Sequence, residues 1–298
     1  MKFAVVPMAV LSASILLGQD LTPTQRPENS AAGDGPAAFY HVDVVARTTK
    51  AVNYGHRAKP TKIDLVGTVL QHDAKGEARI EAENGVVQVQ AKFRNLEAPH
   101  RFGPQYLTYV LWAITPAGRA TNLGEIVTNS GSGAKLDTST ELQTFALIVT
   151  AEPYFAVTQP SNVVLMENAV RSDTVGKVQT VDAKYELLKR GSYTFDVAAA
   201  KKSGERTGRK VSQREYETIV ELYQARNAVQ LAKADGADVH AADTFTRAQD
   251  QLREAEQIYS ADPKGRATVM LAREAAQTAE DARLIAARRQ TELESRQP

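Results

Sequence analysis

The sequence predicts an α+β protein in which an N-terminal all-β, Ig-like sandwich is followed by a C-terminal antiparallel three-helix bundle or long helical hairpin. Three observations carry that expectation. Short apolar runs recur at strand period from Phe39 onward. Turn residues separate them at the spacing of a sandwich. From Ser212 the apolar period lengthens to that of a helix.

The strands come first. Tyr40, Val42, Val44 and Ala46 alternate with polar or mixed neighbours, and Ile63, Leu65 and Val69 do the same after a loop containing Gly, Lys and Pro. Ala78, Ile80 and Ala82 lead into Asn84-Gly85, and Val87, Val89, Ala91 and Phe93 lead away from it. Asn-Gly tolerates the two positive φ angles of a type I′ turn, so this stretch predicts a β-hairpin with one apolar and one charged face. Further strands are expected at Tyr106–Thr115, Ala120–Val127, Thr144–Thr150 and Val163–Glu167, divided by Pro116, by the Gly131-Ser132-Gly133 loop and by Pro153 to Pro160. Seven or eight strands of this kind make a sandwich of roughly 130 residues, with Trp112 in its core.

Within residues 171–200 two readings stay open: Lys177–Leu188 forms one more strand pair, or the chain makes an excursion from the sandwich. Lys201–Lys210 is polar, basic and without periodicity, and reads as a linker. Ser212-Gln213-Arg214-Glu215 then fits a capping box, and Gly236 supplies a stop, giving a helix of about 23 residues. Asp238 can cap a second helix carrying Ala241, Phe245, Ala248, Leu252, Ala255 and Tyr259. Asp262-Pro263 starts a third with Leu271, Ala275, Thr278, Ala282 and Ile285. Tight turns set these helices antiparallel, their alanine seams pack together, and the charged positions face water.

A chain of 298 residues, 43% hydrophobic and 24% charged, can build one large or two ordinary domains. Its 36 basic residues balance 35 acidic ones, which leaves no global field to gather nucleic acid or anionic lipid. Met1-Lys2 followed by the apolar run Phe3–Leu17, broken only by Ser12 and Ser14, reads as a secretory signal. That run is about fifteen residues, short of the roughly twenty that span a bilayer, which favours removal over retention as an anchor. The absence of cysteine rules out a disulfide framework and lipid attachment through a lipobox. The expected layout is a signal peptide at 1–18, a disordered Pro- and Gly-containing tether at 19–38, the sandwich at 39–200, the linker at 201–211, the helical bundle at 212–290 and a tail at 291–298.

Two stretches carry resemblances. Tyr109-Val110-Leu111-Trp112-Ala113-Ile114, Gly118, Asn122-Leu123-Gly124-Glu125, Phe145–Thr150 and Ala151-Glu152-Pro153 with Pro160 resemble the extracytoplasmic β-sandwich domain of anti-sigma-K factors. That resemblance covers about a third of the chain and implies the fold. Sigma-factor regulation is not carried over, because the residues before the strands read as a signal and a tether where that family has a sigma-binding module and a membrane span. Tyr223-Gln224-Ala225-Arg226 through Ala241-Ala242-Asp243, together with Ala272–Arg283, resembles an uncharacterised alanine-rich helical domain of bacterial envelope proteins. That family often precedes peptidoglycan-binding domains similar to outer-membrane protein A. Wall attachment of that kind is not expected in a chain ending at Pro298. The combination is similar to proteins common in acidobacteria, whose family has no established activity.

Candidate chemistry is sparse. His41 and Asp43 would share one face of a strand, but no second pair at ligand spacing accompanies them, and His56, His72, His100 and His240 fall in loops, at strand ends or in a first helical turn. Gly-x-Ser-x-Gly, His-Glu-x-x-His and Gly-x-x-x-x-Gly-Lys patterns are absent. Glu152 before Pro153 reads as a functional carboxylate or, more simply, as a strand stop. Tyr106, Tyr109, Tyr154 and Phe155 read as an aromatic binding platform or as the seal of a sandwich edge. The sequence therefore predicts no catalytic residue, no cofactor and no metal site. The expected function is that of a non-catalytic envelope protein, periplasmic or secreted, with the sandwich as a binding surface and the helices as spacer or partner-binding module. The alternative is a ligand-binding or hydrolytic protein using a sandwich-loop pocket. The expected partner is another envelope protein, with no nucleic acid and no stable membrane insertion after signal cleavage, and the helical seams also allow a homodimer.

Overall fold

Asn84 and Gly85 adopt φ angles of 52° and 82°, as a type I′ turn requires. They join β3 (Lys75–Glu83) to β4 (Val86–Arg94), with Ala78 opposite Ala91 and Ile80 opposite Val89. The expected hairpin is present, and its apolar face is buried. The computed structural model describes residues 49–55, 60–128, 133–172, 174, 177–181 and 212–296. The signal at 1–18, the tether at 19–38, the strand around Tyr40–Ala46, residues 182–200 and the linker at 201–211 lie outside the described residues.

The remaining strands are β1 (Thr49–Asn53), β2 (Thr61–Gly67), β5 (Thr108–Ile114), β6 (Ala120–Ile126), β7 (Ala134–Thr140), β8 (Thr144–Glu152), β9 (Val164–Ala169) and β10 (Lys177–Val181). Every pairing between them is antiparallel, and the spatial order runs β6, β5, β8, β9, β2, β3, β4, β7. β1 sits between β10 and the first residues of β8. The ends of the row approach each other, making the sheet nearly a barrel: Thr138 Oγ1 of β7 donates to Leu123 O of β6 at 2.7 Å. That carbonyl is free to accept because Leu111 pairs with Gly124 and Trp112 with Asn122, which leaves Leu123 as the extra residue of a bulge.

β5 is buried at all seven positions. Tyr109, Leu111 and Ala113 face the interior of the β unit beside Ile63, Ile80, Val89 and Phe93. Val110, Trp112 and Ile114 face the other way, in a core shared with the helices, and β8 divides likewise, with Phe145, Leu147 and Val149 inward and Ala146 and Ile148 outward. The period-two geometry of a strand sends alternate residues to opposite faces, so an unbroken apolar run needs cover on both.

The helices supply that cover. They are α1 (Gln213–Ala234), a single turn α2 (Ala237–His240), α3 (Ala242–Ala261) and α4 (Arg266–Ser295). Ser212 caps α1, its hydroxyl accepting from the Glu215 amide, and Gly236 at φ 77° ends it, as the sequence suggested. α4 lies along both α1 and α3. Ala225, Ala228, Ala275, Ala279 and Ala282 are fully buried, so these backbones approach closely. Among the described residues no helix is long and apolar enough to cross a membrane.

Three local expectations are corrected. Asp238 caps nothing: it lies inside α2, and α3 starts at Ala242 with no side-chain cap. Val69 is 91% exposed, because the chain leaves β2 at Gly67, whose amide bonds to Ala74 O, and turns before reaching it. β7 was not anticipated, since Leu136 is its only large apolar residue and the rest of its pattern is polar.

Two glycines separate steric from conformational constraint. A Cβ on Gly67 would sit 2.0 Å from Gln71 O, whereas one on Gly85 meets nothing but would be strained at its positive φ. Gly67→Ala is expected to lower stability by about 1–3 kcal/mol or more, and Gly85→Ala by about 1–2 kcal/mol. Gly85→Asn should recover most of that loss, because Asn tolerates the left-handed region, while Gly67→Asn should recover none. Urea midpoints of the four variants check this.

Candidate functional site

Among the described residues, the histidines that the sequence singled out form no cluster with other ligating side chains. His41, Asp43 and His56 lie outside the described residues. His72 is exposed beside Asp73, His100 is exposed, and His240 is half-buried at the end of α2. Among the described residues no three His, Asp or Glu side chains are grouped so as to hold a metal ion. A hollow of about 420 Å³ near the end of α4 is lined by Ala287, Arg288, Thr291, Glu292 and Ser295, all from one helix.

Glu152 is fully buried and acts within the fold. It accepts from the Ser161 amide at 2.7 Å and from the Thr150 hydroxyl, which in turn accepts from Trp112 Nε1 at 2.8 Å. The aromatic residues are no open platform. Tyr106, Tyr109 and Tyr154 are buried, and the Tyr109 hydroxyl donates to Glu97 O at 2.7 Å.

The polar groups that do converge lie between the helices and the strands, around the segment Pro153–Thr158 that follows β8. Asn122 of β6 donates to Phe155 O and Val157 O, both at 2.8 Å. Gln224 of α1 accepts from the Phe155 amide at 2.7 Å, and Asn227 one turn on donates to Gln105 O and Pro153 O. α4 contributes Glu280, which is fully buried.

Five donors serve Glu280: the Tyr154 hydroxyl at 2.6 Å, the Thr158 amide at 3.0 Å, the Thr158 hydroxyl at 2.5 Å, and Arg283 through Nε and Nη2, both at 2.8 Å. Arg283 also reaches Asp235 Oδ2, just beyond α1, at 3.1 Å. Burial pushes the Glu280 carboxyl up, but the bonds from Arg283, its charge, and the Thr158 and Tyr154 donors outweigh burial and hold it below its ordinary value. Burial also acts against the charged form of Arg283, yet its bonds and charge contact with Glu280 raise it. Burial and the Glu280 charge push the Tyr154 phenol well up.

A second cluster joins β5, β6, α1 and α4. Glu125 takes Thr108 Oγ1 at 2.7 Å and Gln224 Nε2 at 2.9 Å on one oxygen, and Arg273 Nη1 at 2.7 Å on the other. The same Arg273 nitrogen donates to Glu221 at 2.7 Å, and its guanidinium covers the Phe155 ring at 3.7 Å from the centroid. None of these helical side chains was marked as buried by the sequence reading, which put the charged helix positions in water. One signal was available: Glu280 follows Ala276 by four and Arg283 follows Ala279 by four, so both continue the buried alanine stripe.

Compared with known proteins, the chain matches no family model, and no curated protein matches it.

Because Glu280 and Arg283 are desolvated together, removing one partner strands the other. Arg283→Met is expected to cost about 3–5 kcal/mol in urea unfolding at neutral pH, and the double change Glu280→Leu/Arg283→Met less than the sum of the single changes. The lowered Glu280 pKa gives a stabilisation that is present above the ordinary carboxylate value of 4.5 and lost as pH falls through the folded value. Glu280→Gln should therefore flatten the acid limb of the stability profile.

Proposed function

We propose that this chain is an exported, non-catalytic protein of the bacterial cell envelope, periplasmic or secreted. In it the β unit, read more finely as an Ig-like sandwich, presents a binding surface. The helices, read as a three-helix bundle, act as spacer or partner-binding module. The observation that carries the non-catalytic part is the closure of the densest polar cluster upon itself: Glu280 has five donors, and Arg283 answers Glu280, Asp235 and Thr158. A general acid or base needs a free valence facing a substrate, and Glu280 and Arg283 spend theirs on each other along α4 and on Tyr154, Thr158 and Asp235 across a packed seam.

Export is supported by the short basic start and the apolar run Phe3–Leu17. The likeness of Tyr109–Pro153 to the anti-sigma-K sandwich, and of the helices to the alanine-rich envelope family, belongs to the same proposal. So does a partner that is itself an envelope protein, with self-association through the helices as the second arrangement.

Expression of the full chain in a Gram-negative host, followed by fractionation and intact mass measurement, tests the compartment. A mature chain lacking about the first 18 residues, in the periplasm or medium, is expected. Recovery in the cytoplasm would defeat export, and an intact Met1–Leu17 would defeat cleavage. For the interaction role, a photo-crosslinker at Val69 or Met270, 91% and 71% exposed, should give a discrete adduct in intact cells. Uncrosslinked chain alone from both positions would count against it.

A further inference from the structure

The cluster around Arg273 is unbalanced in a way that the Glu280 cluster is not. Two carboxylates, Glu125 from β6 and Glu221 from α1, share a single guanidinium nitrogen from α4. Glu125 is served on both oxygens, by Thr108, Gln224 and Arg273. Glu221 is served on one only: its Oε2 is buried and has no hydrogen-bond partner. Both carboxylates are largely shielded from water, at 8% and 16% side-chain exposure, and one face of Arg273 is covered by Phe155. In such surroundings two negative charges on one positive charge leave an uncompensated charge that water screens only in part, chiefly at the Arg273 side chain, which is 35% exposed.

We propose that Glu221, Glu125 and Arg273 form a proton-responsive contact, which tightens the docking of α1 and α4 on β6 when Glu221 holds a proton and loosens it when that proton leaves. The asymmetry of partners assigns the proton. Ionised Glu125 has all the donors it needs, whereas ionised Glu221 keeps an unbonded oxygen away from solvent. With Glu221 neutral, Arg273 and Glu125 form a one-to-one pair, and the buried charge is balanced.

The charged groups acting on Glu221 are Glu125 from β6 and Arg273 from α4. Burial raises its pKa most, the Glu125 charge raises it further, and Arg273 pulls it back only in part, so it is pushed up to about 7. A carboxyl raised on folding contributes stability that is fully present below its unfolded value near 4.5 and is lost as pH rises through about 7. This window lies above that of Glu280, so the two groups act on opposite limbs of the profile. The apolar core shared by strands and helices is far larger than this one charge, so the contact biases docking without releasing it. The device does not depend on the compartment in which the protein works.

Hydrogen exchange on the full chain, corrected for the intrinsic pH dependence of exchange, reads the effect. The β3–β4 hairpin amides serve as internal reference. Between pH 5 and pH 8, protection of α1 around Leu222–Ala225 should fall by about tenfold or more relative to the hairpin. In Glu221→Gln that relative fall should vanish. Equal protection at both pH values in the unaltered protein, or the same fall in Glu221→Gln, would overturn the proposal. Should the variant not fold, carboxyl ¹³C titration of the unaltered protein decides: a glutamate midpoint near 7 is expected, and the absence of any glutamate midpoint well above the ordinary 4.5 would overturn it.

Discussion

The structure turns on two strands that are apolar on both faces. β5 and β8 carry one set of side chains into the β unit and the other, Val110, Trp112, Ile114, Ala146 and Ile148, out of it. Each large side chain left in water would forfeit about 1.5–3 kcal/mol. A single layer of strands cannot satisfy such a sequence, and a second layer has to cover it. The C-terminal helices are that layer, which is why the alanines of α1 and α4 and the outward residues of β5 and β8 belong to one core. Strands and helices accordingly lie in one compact unit.

Covering a sheet with helices buries backbone ends and loop carbonyls as well as side chains, and these need partners. The segment Pro153–Thr158 leaves β8 at that point. Asn122, Gln224, Asn227 and Glu280 meet its exposed amides and carbonyls from three different elements. The apolar core supplies most of the attraction, and the polar groups fix how the layers sit, since a shift of α4 would part Glu280 from its Tyr154 and Thr158 donors and Arg283 from Asp235. The Arg273 cluster serves the same seam with one carboxylate too many, and that surplus makes it responsive to pH where the Glu280 cluster is not in the neutral range.

Features legible in the sequence were those decided within a few residues. The Asn84-Gly85 hairpin, the Ser212 cap, the Gly236 stop and the burial of Trp112 follow from turn chemistry, capping and local pattern. Illegible features depended on what lay opposite. β7 reads as polar because one of its faces is exposed and Leu136 is its only large apolar residue, and it is a strand through its pairing with β4 and its bond to the bulged β6. Glu152 and Tyr154 were weighed as possible surface chemistry, yet they point into a layer that the local pattern does not reveal. The charged helix positions look like a solvated face until a second layer closes over them.

By itself, then, the sequence determined most of the strands and the three long helices, where the main turns fall, and that β structure is followed by C-terminal helices, but it did not reveal β7. Only the tertiary structure decided which charges are buried and which carboxylate lacks a partner. The physical reason is distance along the chain. Tyr154 meets Glu280 across 126 residues and Arg273 meets Glu125 across 148, and no periodicity of two or 3.6 residues carries information over such a span. The balance of charge at the seam is a property of pairs, and it exists only once the helices have closed on the strands.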